Sequence, residues 1–126
     1  MSQPAYIVFA HGSSVESANE AVRVVGRQAA QRGEWRAFDT AFLEGGKPDL
    51  PTAIGNLIAR GESQFVIVPY FLTTGLHLKR DLPNLIKEIH SLHPTIEIEV
   101  TEPLDGHPAM VGALVDRAKQ FQCKPV

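Results

Sequence analysis

Short apolar runs alternate along the chain with longer segments whose apolar residues have helical spacing, and the alternation occurs four times. The apolar runs predict four β-strands, at residues 5–10, 37–43, 64–71 and 96–101. The first and third runs are almost continuously apolar, which is typical of parallel strands covered on both faces. The fourth alternates apolar with acidic residues, which indicates a half-exposed strand at the edge of the sheet.

Each strand is followed by a segment in which apolar residues recur every three or four positions, which predicts an amphipathic helix. The four predicted stripes are Ala18, Val22, Val25, Ala29; Ala53, Ile54, Leu57, Ile58; Leu82, Leu85, Ile86, Ile89; and Val111, Leu114, Val115, Ala118. Helix starts are predicted as well. Ser13 and Glu16 have the spacing of a capping box, and Asp49 and Asp81 each precede Leu-Pro, which suits a cap followed by a proline in the first turn.

Four consecutive βα units with right-handed crossovers predict an α/β fold in which one parallel sheet lies between two layers of helices. For so short a chain we expect the strand order 2-1-3-4, a flavodoxin-like three-layer sandwich. The length of 126 residues predicts one domain over residues 1–126. In this order the first and third strands flank the switch point, where ligands usually bind beyond the carboxyl ends of the strands. The functional site is expected there.

Composition narrows the class of protein. Hydrophobic residues make up 44% and charged residues 21%, as in ordinary globular domains. The net charge of −2 offers no basic field for nucleic acid, and no apolar run approaches the roughly 18 residues of a membrane span. The N-terminus lacks the features of a signal peptide, and Cys123 is the only cysteine, so we expect no disulfide framework and a cytoplasmic location.

Two histidines follow strands that the topology makes neighbours. His11 comes directly after the first strand and His77 shortly after the third. Adjacent strand ends lie about 4.8 Å apart before their loops diverge, so the two imidazoles could converge on one point. Neutral imidazole suits cobalt, nickel, iron or zinc, and two ligands leave coordination positions open for a metal in transit. The pattern alone fits two hydrogen-bonded surface histidines as well as it fits a metal site.

Other polar residues lie at the same predicted edge. Glu44 ends the second strand and is either a carboxylate that contacts ligand and accepts protons or a solvated loop acid. Lys47 either meets an anionic substrate or is a solvated charge. His107 stands beside Pro108 at the start of the fourth helix, and its role is left open.

The order of these motifs resembles that of a known family. Residues 7–13 (IVFAHGS) resemble the opening strand and HGS motif of the sirohydrochlorin chelatases, the small CbiX/SirB-type class II chelatases. Residues 68–83 (VPYFLTTGLHLKRDLP) resemble the long second signature of that family, which is specific. Two further family elements are similar to residues 42–44 with Pro48 and to residues 102–108. The resemblance therefore covers nearly the whole chain.

The resemblance implies insertion of a divalent metal, Co²⁺, Fe²⁺ or Ni²⁺, into sirohydrochlorin, a polycarboxylated tetrapyrrole, on the way to cobalamin, sirohaem or a nickel tetrapyrrole. It implies that His11 and His77 bind the metal, that His11 accepts a proton, and that Glu44 is the acid near the substrate. It also implies that the loop 72–77 lines the substrate. Backbone N–H groups near Ser13, together with Lys47, could hold the substrate carboxylates. The expected substrate-binding residues are therefore Ser13, Glu44, Lys47, Leu72, Thr73, Thr74, Gly75 and Leu76.

The metal ion is expected as a substrate, and no organic cofactor is expected because the sequence has neither a P-loop nor a GxGxxG motif. Longer relatives hold two such lobes around one cleft, whereas this chain is one lobe, so we expect a homodimer whose carboxyl edges face each other. Gly45-Gly46-Lys47 replaces the residues usual in the family before Pro48.

Two other functions remain as alternatives. A metallochaperone would bind cobalt or nickel without catalysing insertion. A histidine phosphatase also has His-Gly after a first strand, but Ala10 stands where that chemistry normally places an arginine. The physiological metal and the end pathway stay open.

Overall fold

The computed structural model describes residues 3–72 and 75–121, apart from the side chains of Leu76 and His77. Strands and helices alternate through this part of the chain. In order they are β1 (Ala5–Ala10), α1 (Glu16–Gly33), β2 (Phe38–Phe42), α2 (Leu50–Ala59), β3 (Gln64–Pro69), α3 (Leu76–Leu92), β4 (Glu97–Val100) and α4 (Pro108–Lys119). None of the helices in the described ranges is long and apolar enough to cross a membrane.

The four strands form one parallel sheet in the order β2-β1-β3-β4, which confirms the predicted flavodoxin-like topology. β1 is central, and its Val8 lies between Thr40 of β2 and Val68 of β3. Three of the strands are one or two residues shorter at their ends than predicted, although strand-like pairing continues beyond them. Tyr70 N, past the end of β3, still donates to Phe9 O at 2.7 Å.

One face of the sheet carries the hydrophobic core. Ile7, Phe9 and Ile67 are completely buried there by α2 and α3. The apolar stripes predicted for these two helices face the same cluster, with Ile54 and Ile89 almost fully buried. Burying a large aliphatic or aromatic side chain contributes about 1.5–3 kcal/mol, so this layer supplies much of the stability that fixes the strand ends.

The opposite face is covered by α1 only over β1 and β2. A Cβ added at Gly26 would lie 2.6 Å from Thr40 Oγ1 and 3.7 Å from Val8 Cγ2, so the glycine lets the helix approach the sheet closely. The face of α1 that packs on the sheet is therefore not the apolar stripe that the sequence predicts, and Val25 of that stripe is 40% exposed. The buried residues of α1 are Asn19, Gly26 and Ala30.

Beyond α1, the described residues cover this second face only in part. β3 alternates buried Phe65, Ile67 and Pro69 with partly buried Val66 and Val68. The predicted cover of the third strand is therefore complete on one face and partial on the other. The fourth helix forms where the sequence predicts it, but α4 buries none of its residues. Its predicted core stripe is instead exposed at the surface.

Two of the three predicted helix starts differ from the structure. The capping box is wrong, because α1 begins at Glu16 after Val15 and has no side-chain cap, while Ser13 Oγ accepts from Val15 N at 3.0 Å. Asp49 is confirmed as the cap of α2. It accepts a hydrogen bond from Thr52 N at 2.9 Å, and hydrogen bonding to Thr52 lowers the pKa of the Asp49 carboxyl.

The third helix starts at Leu76, five residues before the predicted cap at Asp81, and it contains Pro83. Its apolar stripe extends back from Leu82 to Leu78, one turn earlier, and Leu78 is 4% exposed. Burial of that extra leucine offsets the backbone hydrogen bond that proline cannot donate. The early start brings the first turn of α3 to the carboxyl edge of the sheet.

Candidate functional site

His11 and Glu44 lie side by side at the carboxyl edge, where β1 and β2 end. Glu44 N donates to His11 O at 2.9 Å, which continues the ladder between the two strands. His11 Nε2 lies 3.4 Å from Glu44 Oε1. Between them Gly12 has φ +92°, and a Cβ at this position would lie 1.7 Å from Glu44 O. Only glycine permits this approach of the two backbones, so the pair depends on the His-Gly sequence.

The His11–Glu44 pair is open to solvent, with side chains 60% and 71% exposed. His11 Nδ1 lies 3.1 Å from Gly12 O, and when Nδ1 carries the proton it donates to that carbonyl. His11 Nε2 and Glu44 Oε1 then each direct a lone pair toward the other atom. A proton or a metal cation placed between them satisfies both atoms, which suits this pair to proton transfer or to metal contact.

A cavity of about 600 Å³ opens beside this pair. It is lined by His11, Leu43, Glu44, Phe71, Gly75, Leu78 and Asp81. Phe71 presents an edge-on ring to the His11 imidazole, with centroids 6.5 Å apart. The cavity therefore combines an apolar wall with one imidazole and two carboxyl groups, and its volume is in the usual range for small-molecule sites.

A second cavity of about 750 Å³ adjoins the first and shares Leu43 and Glu44 with it. Its other lining residues come from the turn after β2 and from the start of α2, and they include the exposed Lys47. Glu44 thus lies between two adjacent hollows, one with an imidazole and one with an ammonium group. Together they form a crevice along the carboxyl edge of β1 and β2.

Asn19 of α1 fixes the loops that carry the pair. It is 1% exposed, and its Oδ1 accepts from Ser13 N at 2.9 Å. Its Nδ2 donates to Ser13 O at 2.9 Å and to Gly45 O at 3.2 Å. The side chain therefore ties the loop after β1 to the loop after β2. Sequence reasoning missed this residue, although a polar side chain on a buried helix face would have been the signal.

Three predicted substrate-binding residues have clear positions. Gly75 lines the first cavity and Lys47 the second, whereas Leu72 is 68% exposed beyond β3. Ser13 lines neither cavity, because its N–H is taken by Asn19 and its hydroxyl accepts from Val15 N.

Thr73 and Thr74, and the side chains of Leu76 and His77, lie outside the described part of the chain. The backbone of His77 belongs to the first turn of α3, next to Gly75. Across residues 3–72 and 75–121, no group of three or more His, Cys, Asp or Glu side chains is placed to hold a metal ion. A metal site formed by His11 and His77 therefore stays a prediction.

Two polar residues near the edge have roles that the sequence did not reveal. Asp81 was predicted as a helix cap but lines the first cavity, with Oδ1 3.7 Å from Arg80 Nε. His107 caps α4, because its Nδ1 accepts from Ala109 N at 3.0 Å.

Comparison with known proteins shows to which family the chain belongs. The model of the CbiX family matches residues 5–121 of the chain. The chain belongs to the CbiX family. It is 38% identical over 85 residues to a sirohydrochlorin cobaltochelatase of Saccharolobus islandicus, and the match covers 63% of this chain and 66% of that relative. The chain thus matches slightly less than two thirds of the length of this relative.

Two solved structures place this CbiX-family chain among its structural relatives. A CbiX protein of cobalamin biosynthesis from Marinobacter aquaeolei is similar over 94% of this chain and 96% of its own, with a TM-score of 0.82 and 28% identity. The sirohydrochlorin chelatase SirB from Bacillus subtilis subspecies spizizenii, in complex with cobalt, gives a TM-score of 0.88 at 25% identity. That match covers 95% of this chain but 51% of SirB, so SirB is about twice as long.

Proposed function

We propose that this CbiX-family protein is a chelatase that inserts a divalent metal ion into sirohydrochlorin. The observation that carries the proposal is the His11–Glu44 pair, held 3.4 Å apart at the edge of a mixed polar and apolar cavity. Cobalt is the first candidate metal, since one relative is a cobaltochelatase and SirB is a chelatase in complex with cobalt. Fe²⁺ and Ni²⁺ remain alternatives, because imidazole accepts all three ions.

Metal insertion requires that two pyrrole N–H protons leave the macrocycle. The unprotonated Nε2 of His11 carries a lone pair and can accept such a proton. Glu44 Oε1 then stabilises the imidazolium of His11 or accepts the proton from it. The exposure of both side chains gives the proton a short path to solvent.

The metal ion is held as a substrate by an incomplete set of protein ligands. His11 is the proposed first ligand and His77 the second, since the backbone of His77 adjoins Gly75 on the cavity wall. Two imidazoles leave several coordination positions open, so the ring nitrogens can replace the protein ligands one at a time. A closed four-ligand site would retain the metal instead.

The tetrapyrrole is proposed to lie across both cavities. Its ring would rest against the apolar wall of Leu43, Phe71 and Leu78, and Lys47 would meet one of its carboxylates. The loop beyond β3 is proposed to complete the contact through Leu72, Thr73, Thr74, Gly75 and Leu76. Ser13 is left out of this proposal, since Asn19 already binds its backbone N–H.

A second copy of the chain is proposed to cover the other side of the macrocycle, with the two carboxyl edges facing each other. The crevice of one copy covers only one side of a flat ring. Exclusion of water strengthens the polar contacts inside such a site. The double length of SirB, of which this chain matches 51%, supports two units around one cleft.

The test is metallation of sirohydrochlorin with Co²⁺, Ni²⁺ and Fe²⁺ separately, followed by absorbance. We expect a saturable rate above the spontaneous one, and we expect His11→Ala and His77→Ala each to abolish it with the fold intact. His93→Ala is the matched control, because His93 ends α3 away from the carboxyl edge. Near-native turnover in His11→Ala would remove that residue from the mechanism. Metal binding without any acceleration would make the protein a metallochaperone.

Glu44→Gln separates the two possible roles of the carboxylate. We expect it to slow insertion more than it weakens metal binding, because the amide cannot accept the proton but keeps the shape of the side chain. Glu88→Gln, an exposed change on α3, should leave both unchanged. If metal affinity falls as far as the rate does, Glu44 is a metal ligand.

A further inference from the structure

A cavity of about 380 Å³ lies along the outer edge of β2, the last strand of the sheet. Its walls come from α1 and α2, which pack on opposite faces of the sheet, and its base is the strand edge at residues 38–40. Tyr6 N donates to Ala37 O, so in the alternation of a parallel ladder the backbone of Phe38 points away from β1. This cavity shares no lining residue with the crevice that contains His11 and Glu44.

The lining of this cavity is cationic. Arg23 and Arg27 of α1, Arg60 at the end of α2 and Asp39 of β2 bring three guanidinium groups and one carboxyl group to it. We call this cavity the arginine pocket. Arg23 and Arg27 are four residues apart and therefore neighbours on one helix face. The excess of positive charge in the lining favours an anionic ligand.

Arg23 is fixed by contacts with its own chain. Its Nη1 lies 2.6 Å from Glu16 Oε1, and its Nη2 donates to Lys47 O at 2.8 Å. The guanidinium also lies over the ring of Phe42, 5.2 Å from the centroid. These contacts hold the charge of Arg23 at the pocket without a ligand, so it supplies a pre-set positive field there.

Arg27 and Arg60 have donors left for a ligand. Arg27 is 57% exposed, and its Nη2 lies 3.4 Å from Glu20 Oε1. Arg60 is exposed, and its guanidinium forms no ion pair with any described residue. The two side chains come from helices on opposite faces of the sheet. A planar carboxylate accepts guanidinium groups in its own plane, whereas the oxygens of a tetrahedral phosphoryl group accept from several sides. This arrangement favours a phosphoryl group.

Asp39 adds a second requirement. Its Oδ1 accepts from Thr40 N at 2.8 Å, which holds the carboxyl group at the strand edge. Burial raises the pKa of Asp39, and the positive charges of Arg60 and Arg23 act against this effect. Arginines from both walls thus act on one carboxyl group. A carboxylate repels an anion, but it accepts a hydrogen bond from a hydroxyl group on the same ligand.

We propose that the arginine pocket binds a phosphoryl group with a hydroxyl group close to it, as in hydrogen phosphate or the phosphate monoester of a small polyol. Arg27 and Arg60 donate to the phosphoryl oxygens, and Asp39 accepts from the hydroxyl group. The volume of about 380 Å³ is in the range of sites for small organic ligands, which favours the monoester over the free ion. The proposal is independent of the proposed chelatase function, because the pocket and the crevice share no residue.

The first test is isothermal titration calorimetry near neutral pH, without metal or tetrapyrrole. The probes are ribose 5-phosphate, inorganic phosphate, sulfate and ribose. We expect one site per chain for the phosphate compounds, at least tenfold weaker binding of sulfate, which has no hydroxyl group, and no binding of ribose. Tighter binding of ribose 5-phosphate than of inorganic phosphate assigns the site to an ester, and equal binding assigns it to the free ion. Sulfate binding as tight as that of phosphate, or no saturable binding of either phosphate compound at millimolar concentration, overturns the proposal.

The second test locates the bound phosphoryl group. Arg27→Gln and Arg60→Gln should each weaken its binding at least tenfold, because each removes a charged donor. Arg32→Gln is the matched control, since Arg32 is exposed in the last turn of α1 and does not line the pocket. If Lys47→Gln abolishes binding while Arg27→Gln and Arg60→Gln leave it unchanged, the phosphoryl group binds in the crevice and the proposal fails.

Asp39→Asn tests the requirement for a hydroxyl group. The amide keeps an oxygen for Thr40 N and gains N–H donors, so sulfate should bind more tightly and its disadvantage against phosphate should shrink. An unchanged ratio of the two affinities refutes the role of Asp39 and with it the requirement for a hydroxyl group.

Discussion

Asn19→Ala should destabilise the protein and loosen the site at the same time. The side chain is 1% exposed and makes three hydrogen bonds, at 2.9, 2.9 and 3.2 Å, to the two loops that carry His11 and Glu44. Each contributes about 0.5–1.5 kcal/mol net. Without the Asn19 amide, the backbone groups of the half-buried Ser13 and the exposed Gly45 lose these contacts. We expect a loss of about 2–4 kcal/mol in the free energy of unfolding. For a chain of this size that corresponds to a melting temperature lower by roughly 10 °C.

The assay is urea denaturation followed by far-UV circular dichroism. The matched control is Asn56→Ala, an exposed asparagine on α2, which should change stability by less than about 0.5 kcal/mol. A loss below about 1 kcal/mol for Asn19→Ala would show that water replaces the three hydrogen bonds and that Asn19 does not fix the loops.

Three other substitutions test separate features. Gly12→Ala should cost more than about 2 kcal/mol, because φ is +92° and the new Cβ would meet Glu44 O, whereas Gly55→Ala in α2, which meets nothing within 4 Å, should stabilise by about 0.5–1 kcal/mol. Asp49→Ala should cost about 1 kcal/mol at pH 7, and since the pKa of Asp49 is lowered by folding, this difference should vanish as the pH falls through that pKa. Burial raises the pKa of Asp39 above its ordinary value of 3.8, so the protein loses stability as the pH rises from there through the raised pKa. Asp39→Asn should therefore be more stable than wild type at pH 7 in denaturant titrations.

The sheet order was predictable because the hydrophobic periodicity of a segment shows which of its faces are buried. This periodicity depends only on residues that are close together in the sequence. Residues 5–10 and 64–71 are apolar runs, and short connections leave few topologies for four βα units. The start of α3 was not predictable, since Asp81-Leu82-Pro83 has the sequence of a cap and only the burial of Leu78 carries the helix one turn further back. Likewise, the close approach at Gly26 decides which face of α1 packs.

The proximity of His11 and Glu44 followed from the sequence, because both residues come directly after strands that the topology makes neighbours. The contacts of Asn19, Phe71 and Asp81 did not follow from it. They depend on how loops turn after the strands, and this geometry is set by backbone hydrogen bonds and positive φ angles rather than by hydrophobic periodicity.

The extension of the β1–β2 ladder to Glu44 has a consequence for how the protein can diverge. Leu43 N donates to Ala10 O and Glu44 N to His11 O, both at 2.9 Å, so the spacing of His11 and Glu44 follows from the spacing between two strands. The loop beyond β3, which lines the crevice from another strand, can therefore change in sequence and length without moving His11 or Glu44. If the proposed function holds, substrate preference and proton transfer depend on separate parts of the chain, and one can evolve while the other is kept.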